Sequence, residues 1–133
     1  MSKMIARRLV FAATATMGVA ALSVALANGR STKDGVFTDE QASRGKSVYE
    51  TACMTCHPTA DFYRERLARY ENRTVAALFE SISTSMPADR PGDLMTSEYL
   101  DVISYILSIT GSPAGAEELT TDNMEGATVG PVN

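Results

Sequence analysis

The chain has 133 residues, with 12 basic and 16 acidic side chains, a net charge of −4, one histidine, two cysteines and no tryptophan. That length suits one domain, and an acidic chain without a basic stripe excludes the phosphate backbone of a nucleic acid as partner. A surface poor in positive charge suits a basic or neutral partner instead.

Residues 1–27 read as an export signal. Lys3, Arg7 and Arg8 begin the segment, and no acid precedes Asp34. An apolar run from Leu9 to Leu26 ends on Ala25-Leu26-Ala27, the small-x-small pattern of a cleavage site. Its 18 residues stand at the lower edge of the ~17–25 that cross a bilayer. They are mostly Ala, Thr and Val, so removal after Ala27 is expected, with no stable membrane span left behind. Arg7-Arg8 matches a paired-arginine signal, but its flanks fit poorly and the general export route is the better reading. The mature chain then keeps nine basic residues against 16 acidic, a net charge of −7, and works in the periplasm.

Residues 28–36 are polar and read as an N-terminal loop. Thr38-x-x-Gln41 has the pattern of a capping box, and Asp39 and Glu40 suit the positive end of a helix dipole. Ala42, Gly45, Val48, Tyr49 and Ala52 follow at helical spacing. A helix over 39–52 therefore delivers the chain to Cys53. Pro58 bars helix continuation and steers His57 towards extended geometry.

Residues 61–70 suggest a short helix. Asn72 is a candidate cap for a third, whose stripe is Val75, Leu78, Phe79 and Ile82. Met86-Pro87 ends it, because the residue before proline leaves the helical region. Residues 87–93, "PADRPGD", form a turn-rich loop. Thr96 is a candidate cap for a last helix reaching about Thr110, with Asp101, Ser104 and Ser108 as a narrow polar stripe on an otherwise apolar surface. Such a helix is buried on most sides. Gly111 supplies the stop. Residues 113–133 read as a polar tail, disordered or wrapped on the surface. About 75 residues remain for a core, too few to be comfortable without a staple, metal or cofactor.

Both cysteines and the histidine fall in "CMTCH", residues 53–57. A Cys53–Cys56 disulfide suits an exported chain, but so small a ring stabilises little and leaves His57 without a role. A thiol–disulfide oxidoreductase is expected to carry this motif in a βαβ setting, and no strands are indicated. A closed zinc site needs four ligands where three Cys and His exist. The reading that uses all three residues is covalent attachment of haem c. Cys53 and Cys56 each bond one vinyl group, and His57 becomes an axial iron ligand. A second axial ligand is then sought among Met54, Met86, Met95 and Met124. Met54 lies within the motif, Met124 lies in the tail, and Met95 precedes the last helix as packing. Met86 is the candidate, held by the rigid Met86-Pro87 step. His/Met ligation raises the potential and leaves no open position for a substrate.

On these residues the chain resembles the class I cytochromes c. "GKSVYETACMTCH" resembles the family's first helix and attachment motif, and "VISYILS" its last helix. The resemblance covers about 37–119. It implies an all-α fold of three to four helices around one covalent haem c, with the cytochrome c domain at 37–112. It also implies that Gly45 lets the last helix cross closely, near Tyr105 or its neighbours, with Tyr49 and Tyr105 packed at that crossing. The span from "MPADRPGDL" to "ISYILSITGSPAGAEEL" is similar to cytochrome subunits that accept electrons from periplasmic dehydrogenases, often quinoprotein or molybdenum enzymes. An electron carrier is therefore expected rather than an enzyme. Its donor would be a periplasmic dehydrogenase, and its acceptor another cytochrome or a terminal oxidase. The competing expectation is a haem subunit with an open or displaceable distal site, acting as a peroxidase or gas sensor.

Overall fold

The computed structural model describes residues 29–57 and 60–132; the predicted signal segment 1–27, its cut after Ala27, and Pro58 lie outside the described residues. Four helices carry the fold: α1 (Asp39–Ala52), α2 (Ala60–Leu67), α3 (Val75–Ser85) and α4 (Thr96–Ile109). Two short strands, β1 (Arg30–Ser31) and β2 (Ala127–Thr128), pair in parallel. The architecture is all-α, as expected.

The local signals act largely as anticipated at α1. The Thr38 hydroxyl accepts the Gln41 backbone N–H at 3.1 Å, and Asp39 and Glu40 occupy the first turn. The reciprocal half of the capping box is absent. The Gln41 amide instead makes two 2.8 Å bonds to the backbone of Leu119, one donated and one accepted. A side chain legible as a local cap thus holds the tail, 78 residues away.

Two other caps differ from expectation. Thr74, not Asn72, caps α3 by accepting from the Ala77 N–H at 3.2 Å. Asn72 is left-handed, with φ 63°, and donates its N–H to the Val129 carbonyl at 2.9 Å. Asparagine tolerates that conformation better than most residues. At α4 the cap is Met95, and Thr96 is already helical; the Glu98 carboxylate reaches back to accept the Met95 N–H at 2.8 Å. The other end of α4 closes as a Schellman motif around left-handed Gly111, with Ser112 N–H on the Leu107 carbonyl and Gly111 N–H on Ser108.

Helix α4 is the centre of the molecule, and its most extensive partner is α1. A methyl group at Gly45 would collide with the Asp101 carbonyl, so the two backbones meet where a side chain cannot fit. The polar stripe of α4 is not its solvent face. Asp101 and Ser104 are buried. Asp101 accepts two 3.1 Å bonds from Arg44, the neighbour of Gly45, and Ser104 returns its hydroxyl to the Leu100 carbonyl at 2.8 Å. Both groups are satisfied, as buried polar groups must be.

The tail is ordered against the helices and contributes to the core. Leu119, Ala127 and Val129 are among the most buried residues and join Phe37, Val75, Ile103 and Leu107 in one cluster. Val129 exchanges backbone bonds with Asn72 and Arg73, and the Gly130 N–H donates to the buried Thr32 hydroxyl at 3.0 Å. The N-terminal loop and the tail thus form a belt around the helices.

Candidate haem site

A cavity of about 520 Å³ opens between α1, α2, α3 and α4. Leu67, Leu78, Ile82, Val102 and Ile106 give it apolar walls. Cys53, Cys56 and His57 stand on one side, and Met86 and Pro87 come from the loop after α3. The volume lies within the ~300–1,000 Å³ usual for cofactor sites. Of Met54, Met86, Met95 and Met124, Met86 alone lines it. Met54 and Met95 are exposed, and Met124 packs against the main core.

The end of α1 sets the position of the cysteines and histidine. The Cys53 N–H closes the helix on the Tyr49 carbonyl at 2.9 Å, and the Cys53 carbonyl then accepts from Cys56 at 3.2 Å and His57 at 3.0 Å. This single turn brings both sulfurs and the imidazole to the same cavity. The two cysteines form no disulfide; Cys56 is exposed, and burial pushes the Cys53 thiol above its ordinary value. Among the described residues no cluster of three or more His, Cys, Asp or Glu is arranged to hold a bare metal ion.

His57 sits in an aromatic nest. Phe62 lies 4.5 Å away in a tilted stack, and Tyr63 meets it edge-on at 5.9 Å. Burial, then the charge of Arg66, lowers the His57 pKa, with an opposing effect from the Cys56 backbone. The shift favours the neutral form of the ring, the form that binds metals. Among the described residues its buried Nδ1 finds no hydrogen-bond partner. Buried polar atoms are rarely left so, and a group within the cavity would change the surroundings of this ring. Two thiols and an adjacent imidazole beside an apolar space are the groups that covalent haem requires, so the residues present fit it.

The structure adds contacts that sequence reasoning did not assign. The Tyr49 hydroxyl donates to the His57 carbonyl. The Tyr99 hydroxyl donates to the Met86 carbonyl at 2.7 Å. One tyrosine from each of the two crossing helices therefore holds the backbone of one candidate ligand. Tyr99 carried only the signal of an apolar position on α4. At the crossing itself, Tyr49 packs on Tyr105 at 5.1 Å and on Tyr63 at 5.8 Å. Gly45 lies against the backbone of Asp101 and Val102, about one turn before Tyr105 on α4. That Tyr49 and Tyr105 pack together was an expectation of the resemblance, but which turn of α4 the glycine meets depends on the crossing.

The family model described as cytochrome c oxidase, cbb3-type, subunit III matches residues 40–106, half of the chain. The chain belongs to that family of c-type cytochrome domains, and its cofactor is covalently bound haem c. No curated protein and no solved structure gives a significant match. The matched segment begins in the first turn of α1 and ends in α4, so it contains the cavity and leaves out the belt. Among the described residues no helix is long and apolar enough to cross a membrane.

Proposed function

We propose that this protein is a periplasmic carrier of single electrons, with one haem c held by Cys53 and Cys56 and ligated axially by His57 and Met86. The observation that carries the reading is one apolar cavity lined by both cysteines, the sole histidine and a single methionine. Haem c supplies a one-electron iron couple. The chain's own residues do the rest. The cysteines tether the group, and the turn at 53–57 presents the imidazole. Met86 fills the remaining axial position, and the apolar walls exclude water. With both axial positions filled, no site is left for a substrate, which favours a carrier over a peroxidase or gas sensor.

The donor in this reading is a periplasmic dehydrogenase, in line with the resemblance of the loop and last helix. The acceptor is another cytochrome or a terminal oxidase, and the family description, which names a subunit of an oxidase, supports the latter side. The predicted leader at 1–27 supports export.

The test is made on protein matured in a host that attaches haem c. The intact mass should exceed that of the polypeptide by one haem, with the colour retained by the chain after acid denaturation. The reduced protein should then fail to bind carbon monoxide. A colourless product with the bare mass overturns the reading. Ready binding of carbon monoxide would replace it with the open-site alternative.

A further inference from the structure

We propose that Arg66 tunes the reduction potential of the bound haem upwards, as a positive charge stacked through Phe62 on the His57 side of the cavity. The inference rests on the cytochrome reading above and deepens it. Phe62 and Arg66 lie four residues apart on α2, hence on one face of the helix. The Arg66 guanidinium carbon is 3.4 Å from the Phe62 ring centroid, well inside the range of cation–π contact. The same ring also packs on His57, at 4.5 Å and an interplanar angle of 32°, and meets Tyr63 edge-on at 5.1 Å. The guanidinium and the imidazole thus both contact the Phe62 ring, and all three residues line the cavity.

The consequence follows from electrostatics. Reduction removes one unit of positive charge from the iron site, so a neighbouring cation favours the reduced form. Arginine stays protonated throughout the ordinary pH range, so this bias is constant. Arg69 lines the same cavity, but Glu65 faces it across a 3.5 Å ion pair that offsets its charge. The guanidinium of Arg66 is exposed. Salt therefore weakens its influence, since screening acts over about 10 Å at 0.1 M.

The experiment is a redox titration of the haem-loaded full chain, at low and at high salt. The parent is compared with Arg66→Gln, Arg66→Lys and Arg69→Gln. At low salt, Arg66→Gln should reduce the equilibrium constant for reduction about tenfold, which is about 59 mV for a one-electron couple. High salt should shrink that difference. Arg66→Lys should keep most of the parent potential, and Arg69→Gln should change it far less than Arg66→Gln. An unchanged potential in Arg66→Gln overturns the inference. Equal losses in Arg66→Gln and Arg66→Lys overturn it too, because packing rather than charge would then be responsible. A chain that carries no covalent haem shows no couple at all, and that result would sink the cytochrome reading itself.

Discussion

The two walls of the cavity are built by different means. On the His57 side, a turn of five residues closes on the Cys53 carbonyl and lies directly after α1. On the Met86 side, the chain leaves α3 extended, with φ −127° and ψ 152°, and its carbonyl is caught by Tyr99, 13 residues later. The first wall is made within one local motif and, on the proposed reading, is tied to the cofactor by two covalent bonds. The second is made by a loop leaning on a different helix. The His57 side should therefore withstand change in the rest of the molecule, whereas the Met86 side should report on the packing of α4.

The most damaging way to break this contrast is Cys53→Ala with Cys56→Ala. It removes the covalent advantage of the first wall. Mass spectrometry should find the bare polypeptide, and circular dichroism should find a poorly folded chain. Next comes Met86→Ala. Covalent haem should persist, the potential should fall, and the reduced protein should bind carbon monoxide; an unchanged potential would remove Met86 from the iron.

Gly45→Ala strikes both walls together, because Tyr49 and Tyr99 belong to the two helices that cross there. The added methyl meets backbone, not a movable side chain. Denaturant unfolding should show a loss towards the upper end of the ~1–3 kcal/mol typical of overpacking. The smallest effect sharpens the contrast most. Tyr99→Phe deletes one hydroxyl bond to Met86, a loss of about 0.5–1.5 kcal/mol. It should raise the binding of exogenous ligands to the iron while leaving haem attachment intact. If ligand binding stays at the parental level, the Tyr99 contact is not what holds the second wall.

Much of the site was readable without coordinates because its signals are short. The attachment motif spans five residues. The Met86-Pro87 step acts on its own backbone, and the stripe Val75, Leu78, Phe79 and Ile82 reports a helix by spacing alone. The errors are of another kind. Asn72 and Thr96 are both good capping residues, yet Thr74 and Met95 hold the cap positions. A neighbouring tail bond claims the Asn72 backbone, and Glu98 supplies the missing acceptor at α4. Asp101 and Ser104 read as part of a narrow polar stripe, and both are buried. In the fold one is neutralised by Arg44 and the other by its own helix.

The amino-acid order by itself determined the four helices, the residues gathered for haem c and the choice of Met86 as the second candidate ligand. These follow from rotation per residue, backbone sterics at proline and the chemistry of thiol, imidazole and thioether. Only the tertiary structure decided that Gln41 holds Leu119, that Thr32 receives Gly130, and that Tyr99 rather than a nearby residue steadies Met86. Two of these bonds join residues 78 and 98 positions apart. No local pattern encodes such partners, because a polar side chain in a tail has the same intrinsic preferences whether or not a distant helix offers it a donor. The belt became visible only when buried Leu119 and Val129 were found filling space left by the helices, where apolar area removed from water outweighs the entropy of ordering the tail.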